Sequence, residues 1–164
     1  MALAFGSKTP PVINGWTVLA LPEVEQRYLK LRNEVRRLKR ELSEDAYAEH
    51  PTVKLFAAVL RIITQTVPND PDAPEFWLKA GLGKFRRAKG HGLPPHYRLF
   101  WVFSNKLRVI IFLYLNDQAT LRKEGAGTDP YRVFRRMIDR GEIGHDFEAN
   151  LSLWERTHER SENR

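Results

Sequence analysis

The chain has 164 residues, 42% of them hydrophobic and 29% charged, and its 27 Lys and Arg exceed its 20 Asp and Glu for a net charge of +7. That is apolar material for one domain with a real core, and a charge excess that favours a polyanionic partner. The lack of cysteine excludes thiol nucleophiles, disulfides and cysteine-ligated zinc and suits a reducing cytoplasm, and no apolar run reaches the ~18 residues of a membrane span.

Residues 1–13 read as a loose leader, with neither the basic start nor the apolar core of a signal peptide. Residues 15–21 form a short β-favouring run, closed by Pro22. Val24, Tyr28, Leu31, Val35, Leu38 and Leu42 then recur at helical spacing, with charged residues on the other faces and Glu23 and Glu25 in the first turn. A second helix is predicted across 51–67. Its apolar residues, Val53, Phe56, Val59, Leu60, Ile63 and Val67, spread so widely around the axis that it must be covered on both sides. The Asn-Asp-Pro-Asp-Ala-Pro run at 69–74 stops it.

Beyond that loop the period falls to two. Strands are predicted at 82–89, 96–103 and 107–115, joined by a Gly/Pro-rich loop at 90–95 and a tight turn at 104–106. In the middle strand Tyr97, Leu99, Trp101 and Phe103 point to one side, expected to be the core, while His96, Arg98, Phe100 and Val102 point to the other. Arg98 is thereby expected on the face away from the helices. After a polar stretch, Pro130 starts a helix capped by Asp129 or Thr128, with Tyr131, Phe134, Met137 and Ile138 as its apolar side and Gly141 as its end. Phe147, Leu151 and Trp154 allow one more helix before a charged tail at 152–164 that frays.

Chemistry concentrates in the stretch from Phe76 to Asn116. It holds Lys79, Lys84, Arg86, Arg87, Lys89, Arg98, Lys106 and Arg108 with no acidic residue, and Trp77, Tyr97, Trp101 and Tyr114 lie between the cations. Such segregation suits a phosphate polymer, RNA above all. Cutting RNA without a metal requires removal of the 2′-hydroxyl proton, stabilisation of a dianionic phosphorane and protonation of the leaving 5′-oxygen. Arg87, Lys89, Arg98 and Arg122 are candidates to grip the phosphate, and His96, Tyr131 and His145 to move protons. Each has a plainer alternative: solvated strand cations, a strand-start histidine at His96, core packing for Tyr131, a surface histidine at His145.

Metal sites have weaker support. Asp72 and Glu75 are followed by Lys79 at the wrong spacing for a restriction-type nuclease, and His91 and His96 lack supporting carboxylates, so neither metal nor cofactor is expected. Gly81-Leu82-Gly83-Lys84 is an incomplete phosphate loop. Cations alone leave two further readings open: a nucleic-acid-binding module that occludes without cutting, and a basic groove that receives an acidic protein.

The order of several segments resembles the YhaV-type toxins of bacterial toxin–antitoxin pairs, in the RelE-like ribonuclease superfamily. They are Asn14-Gly15-Trp16, residues 90–95, His96-Tyr97-Arg98-Leu99-Phe100-Trp101, Leu115-Asn116-Asp117, Thr120-Leu121-Arg122-Lys123 and Asp129-Pro130-Tyr131-Arg132-Val133-Phe134. The resemblance implies one RelE-like α+β domain over 14–151, a two-helix hairpin packed on a small antiparallel β-sheet whose open face binds RNA, with one or two C-terminal helices. It implies a cytoplasmic endoribonuclease that cuts mRNA, on or off the ribosome, and inhibits translation and growth. A PrlF-like antitoxin would neutralise it, and the complex would bind operator DNA and repress its own operon. The family's functional positions fall on Arg87, Lys89, Arg98, Arg122 and Tyr131 as catalytic residues, with Lys84, Arg86, His96, Lys106 and Asn116 expected to contact RNA. Tyr114 stands where relatives often have Trp, and Gln118 where they have an acid.

Overall fold

Alternating apolar residues in the second half of the chain build the centre of the molecule, a five-stranded sheet seen in a computed structural model. The structure describes all residues except 1, 2, 4, 6–8, 80, 117–128, 163 and 164, and the side chains of 161 and 162. The strands are β1 (Val12–Ile13), β2 (Trp16–Ala20), β3 (Arg86–Ala88), β4 (Leu99–Ser104) and β5 (Val109–Leu115), in the spatial order β1-β2-β5-β4-β3.

The α+β class agrees with the sequence, but the sheet is mixed where an antiparallel one was expected. β2 runs parallel to β5, with Thr17 opposite Val109 and Ala20 opposite Phe112. Parallel neighbours cannot be joined by a tight turn, so this pairing needs the long excursion through the helices that separates the two strands. β1 belongs to the stretch expected to be a loose leader. Asn14-Gly15, with φ of 50° and 80°, forms the two-residue turn that folds it onto β2, with Ile13 opposite Trp16. Further back, Leu3 is buried and its amide donates to the Tyr28 hydroxyl at 3.3 Å.

One face of the sheet carries α1 (Pro22–Glu41) and α3 (Pro51–Arg61). Val24, Tyr28, Val59, Ile62, Ile63 and Val67 pack there against Leu99, Trp101, Ile110 and Phe112. Trp101 is completely buried and meets Phe76 edge-on at 4.9 Å. Burial of each such large side chain stabilises the fold by roughly 2–3 kcal/mol. The second predicted helix continues past Arg61 through a π turn, Ile62–Thr66, into Val67–Asn69. Between the two helices lies a short one absent from the sequence reading, α2 (Glu44–Glu49), capped by the Ser43 hydroxyl. It has no buried residue, so no apolar period announced it.

The other face differs from expectation. It was expected to lie open to RNA, yet α4 (Pro130–Asp139) and α5 (Phe147–Glu162) pack over it. Phe100, Val102, Ile111, Leu113 and Tyr114 are all buried there, beneath Val133, Phe134 and Met137. The reason is simple: a strand such as Val109–Leu115 has no polar face to offer to water, and α4 has an apolar side that needs a partner. Asn150 closes this layer. Fully buried, it accepts from the Gly144 amide at 2.8 Å and donates to the Gly144 and Asp146 carbonyls at 3.0 and 2.8 Å, tying the loop before α5 to the helix.

Candidate functional site

Arg87 is opposite Phe100 in the β3–β4 ladder, and Arg98 is two residues before Phe100, so both arginines belong to the face covered by the C-terminal helices. They sit where that cover ends. α4 is anchored by Phe134, whose ring stacks on Phe100 at 4.1 Å between centroids and 7° between planes. One turn earlier on the helix, Tyr131 meets the edge of Phe100 at 6.0 Å and 89°. Asp129 caps the helix by accepting from the Tyr131 amide at 2.9 Å. The phenol is thereby aimed at the strand ends by ring packing and by a cap.

Its hydroxyl oxygen accepts a hydrogen bond from Arg87 Nε at 2.8 Å and a longer one from Arg98 Nε at 3.4 Å. Arg87 is further held by donation from Nη1 to the Glu75 carbonyl at 2.9 Å, and Arg98 by donation from Nη1 to the Tyr97 carbonyl at 2.8 Å. Toward the described residues each guanidinium uses only part of its donor fork, and the rest matches what a phosphate accepts. Partial burial of Tyr131 pushes its phenol up, but the hydrogen bonds and positive charges of Arg87 and Arg98 together outweigh that and bring it below its ordinary value. With both lone-pair directions engaged, the hydroxyl has its proton left to give.

Asn116 fixes the start of β4. Opposite Phe100, β5 supplies one residue too many: Phe100 pairs with Tyr114 and Trp101 with Phe112, which leaves Leu113 as a bulge. The bulge brings Asn116 level with Arg98. The side-chain oxygen of Asn116 accepts from the Arg98 amide, its side-chain nitrogen donates to the His96 carbonyl, and its own amide donates to the Arg98 carbonyl at 3.2 Å. His96, with φ of 72°, lies in the left-handed region that a non-glycine residue rarely adopts. Asn116 is fully buried by these contacts, which makes it a brace for the arginine backbone.

The structure therefore brings Arg87, Arg98 and Tyr131 together. Lys89 is exposed just beyond Ala88, which pairs with Leu99, so continuing the ladder by one residue sets Lys89 opposite Arg98. Lys84 is exposed on the loop leading into β3, and the His96 side chain is exposed beside Arg98. Arg86 is held elsewhere: on the other face of β3 from Arg87, it donates from Nε to Asp72 at 2.9 Å, pairs with the same carboxylate through Nη2 at 2.8 Å, and stands over Phe103. Lys106 is in the turn at the far end of the β4–β5 hairpin, roughly 20 Å of strand away from Arg98. Arg122 lies outside the described residues, as do Asp117 and Thr120. His145 is exposed, 3.4 Å from the Asp146 carboxylate.

Beside Tyr131 and Arg87 opens a cleft of about 720 Å³ lined also by Trp77, Leu78, Lys79, Leu82, Asp129, Arg132 and Arg135. Arg132 and Arg135 went unnoticed as candidates in the sequence, although three-residue spacing on a helix puts them on neighbouring turns next to Tyr131. Among the described residues no group of three or more His, Asp and Glu could hold a metal ion, and no helix is long and apolar enough to cross a membrane.

Residues 18–154 match a protein family described as a toxin with endonuclease activity, of a toxin–antitoxin system. The chain is 36% identical over 155 residues to the ribonuclease toxin YhaV of Escherichia coli strain K12, an alignment covering 91% of this chain and 98% of that protein. Toxin YhaV of Escherichia coli O157:H7 and that of strain O6:H1 show the same identity and coverage. No solved structure matches the chain.

Proposed function

The chain belongs to the YhaV family, toxins with endonuclease activity from toxin–antitoxin systems, and on that premise we propose that it is a metal-independent endoribonuclease that cuts mRNA with Arg87, Arg98 and Tyr131. The observation that carries this reading is one phenol hydroxyl accepting from two guanidiniums. The ribose 2′-oxygen attacks the adjoining phosphorus as its proton passes to water. Arg87 and Arg98 hold the equatorial oxygens of the dianionic phosphorane, where their charge acts in a partly desolvated site. The bond from phosphorus to the 5′-oxygen then breaks, and that oxygen takes the Tyr131 proton. The products are a 2′,3′-cyclic phosphate and a 5′-hydroxyl.

Two guanidiniums around the reacting phosphate supply the positive charge that a divalent ion would otherwise bring, and they would repel such an ion. Lys89 adds charge beside Arg98, and Arg122 is the further cation of this reading, with Lys84 and the His96 side chain contacting the flanking backbone. Arg86 and Asn116 serve instead to hold the loop and the strand. Purified full-length protein is expected to cut RNA in EDTA, leaving cyclic-phosphate ends that resist ligation until opened. Cutting abolished by EDTA and restored by magnesium would overturn metal independence. RNA bound tightly yet left intact would make the protein an occluding module.

The lowered phenol gives a second expectation, with a definite sign. Tyr131 must be protonated to act as the donor, so the rate falls as pH rises through its pKa, which lies below the ordinary value of about 10. In Arg87→Ala, which removes the stronger of the two hydrogen bonds, the same alkaline limb moves to higher pH. A limb that stays in place when both Arg87 and Tyr131 are altered would take Tyr131 out of the proton transfer.

Membership of a toxin–antitoxin family supports an antitoxin partner, here of the PrlF type, binding in the cytoplasm and repressing the shared operon as a complex.

A further inference from the structure

Trp77 has an unusual combination of properties. It is 53% exposed, yet it cannot swing freely: its indole N–H donates to the Asp72 carbonyl at 2.9 Å and to the Asp72 carboxylate at 3.0 Å. The same carboxylate holds Arg86, whose guanidinium carbon is 5.9 Å from the centre of the indole. Backbone pairing of Trp77 with Arg86 fixes the main chain as well. Exposing a large aromatic surface gives the fold nothing, so a ring held in place while facing water points to a binding contact.

Its surroundings say of what kind. Trp77 lines the cleft of about 720 Å³ that runs up to Arg87 and Tyr131, a volume within the range of small-ligand sites. Lys79, Arg132 and Arg135 line it too. Among the described residues the one acid in the wall, Asp129, already uses a carboxylate oxygen to cap α4. A fixed aromatic plate among cations is the equipment for single-stranded nucleic acid, where bases stack and phosphates are neutralised.

We propose that this cleft is a nucleotide subsite, in which Trp77 stacks on a base adjoining the scissile bond and Lys79, Arg132 and Arg135 hold the neighbouring phosphates. The inference rests on RNA being the substrate and adds to it the position at which a base is felt. Because Trp77 is continuous with the catalytic cleft, the stacked base is close in the chain to the cut phosphate, and preference for a base there arises from stacking strength.

The test uses fluorescence anisotropy of the full-length protein with labelled 2′-O-methyl oligonucleotides, whose blocked 2′-oxygens prevent cleavage. One member of the set is intact, and in each of the others a single base is missing. Wild type is expected to lose about tenfold or more in affinity when one particular base is absent. Trp77→Ala should bind the intact oligonucleotide about tenfold more weakly and no longer respond to that absence, whereas Trp77→Phe, which keeps a ring but not the indole N–H, should still respond. Lys79→Ala and Arg132→Ala should each lower the slope of log affinity against log salt by about one. These two need no change at Trp77, so they report on the cleft even if the Trp77 variants fold poorly.

Undiminished binding by Trp77→Ala, or a response to the missing base as large as that of wild type, overturns the proposal and leaves the ribonuclease reading intact. So does unchanged RNA affinity in Trp77→Ala combined with lost binding of an Asp/Glu-rich peptide, which would give the cleft to a protein partner. Failure of wild type to bind any of the oligonucleotides removes the RNA reading itself and the subsite with it.

Discussion

Arg98→Ala is expected to slow RNA cutting by about 10²–10³-fold, the usual loss when one fixed donor to a developing oxyanion is removed. The side chain is half-buried at the edge of the C-terminal layer, and its hydrogen bonds go to the Tyr131 hydroxyl and to the carbonyl of the preceding residue. No buried partner is orphaned when it is cut back. Stability should therefore change by only about 0.5 kcal/mol, as for a surface substitution. Arg86→Ala provides the contrast one residue from Arg87. It breaks the ion pair with Asp72 and removes the cation beside the Trp77 ring, so it is expected to affect unfolding before it affects chemistry. Single-turnover cleavage together with urea unfolding separates the two. Wild-type rates in a folded Arg98→Ala protein would remove Arg98 from the active site.

Asn116→Ala is expected to damage both stability and activity. The side chain is completely buried and satisfies two backbone groups that are not paired to one another, the Arg98 amide and the His96 carbonyl. Removing it leaves a donor and an acceptor without partners and opens a cavity, together costing about 2–4 kcal/mol. His96 would also lose the contact that helps to hold its left-handed backbone, and Arg98 begins two residues later. The rate at conditions where the variant remains folded should thus fall at least tenfold, because a misplacement of about 1 Å can cost up to 10². Asn116→Asp keeps the acceptor for Arg98 but sets a carboxylate against the His96 carbonyl, so it should be no better. A stable, fully active Asn116→Ala would show that the brace is dispensable.

Much of the scaffold can be read from local pattern. The helix over Pro22–Glu41 follows from Val24, Tyr28, Val35 and Leu38 on one stripe, and all four are buried. The pairing of β4 with β5 follows from alternation and a short turn. The site is partly legible for the same reason: strand period two puts Arg98 on the side away from Trp101, and clustering of cations marks the stretch that contains Arg87. What escaped is non-local. Phe100 and Val102 alternate correctly, but only the presence of α4 decides that their side is covered. The parallel partner of β2 lies some ninety positions away, with no local signature. The Leu113 bulge is invisible because an extra apolar residue in an apolar strand changes no pattern. By contrast, Asn14-Gly15 carried a hairpin signal that the reading of 1–13 as leader passed over.

The anchoring of Tyr131 through Phe134 onto Phe100 has a consequence for when the toxin becomes dangerous to the cell that makes it. The two arginines belong to the middle of the chain and the phenol to its last third, on a segment that depends on the sheet for its seat. During synthesis the cations emerge first, without the proposed proton donor. On the proposed reading, an interrupted translation product that stops short of Pro130 lacks the phenol, so the order of the chain delays cutting until α4 has been made and has docked on the sheet.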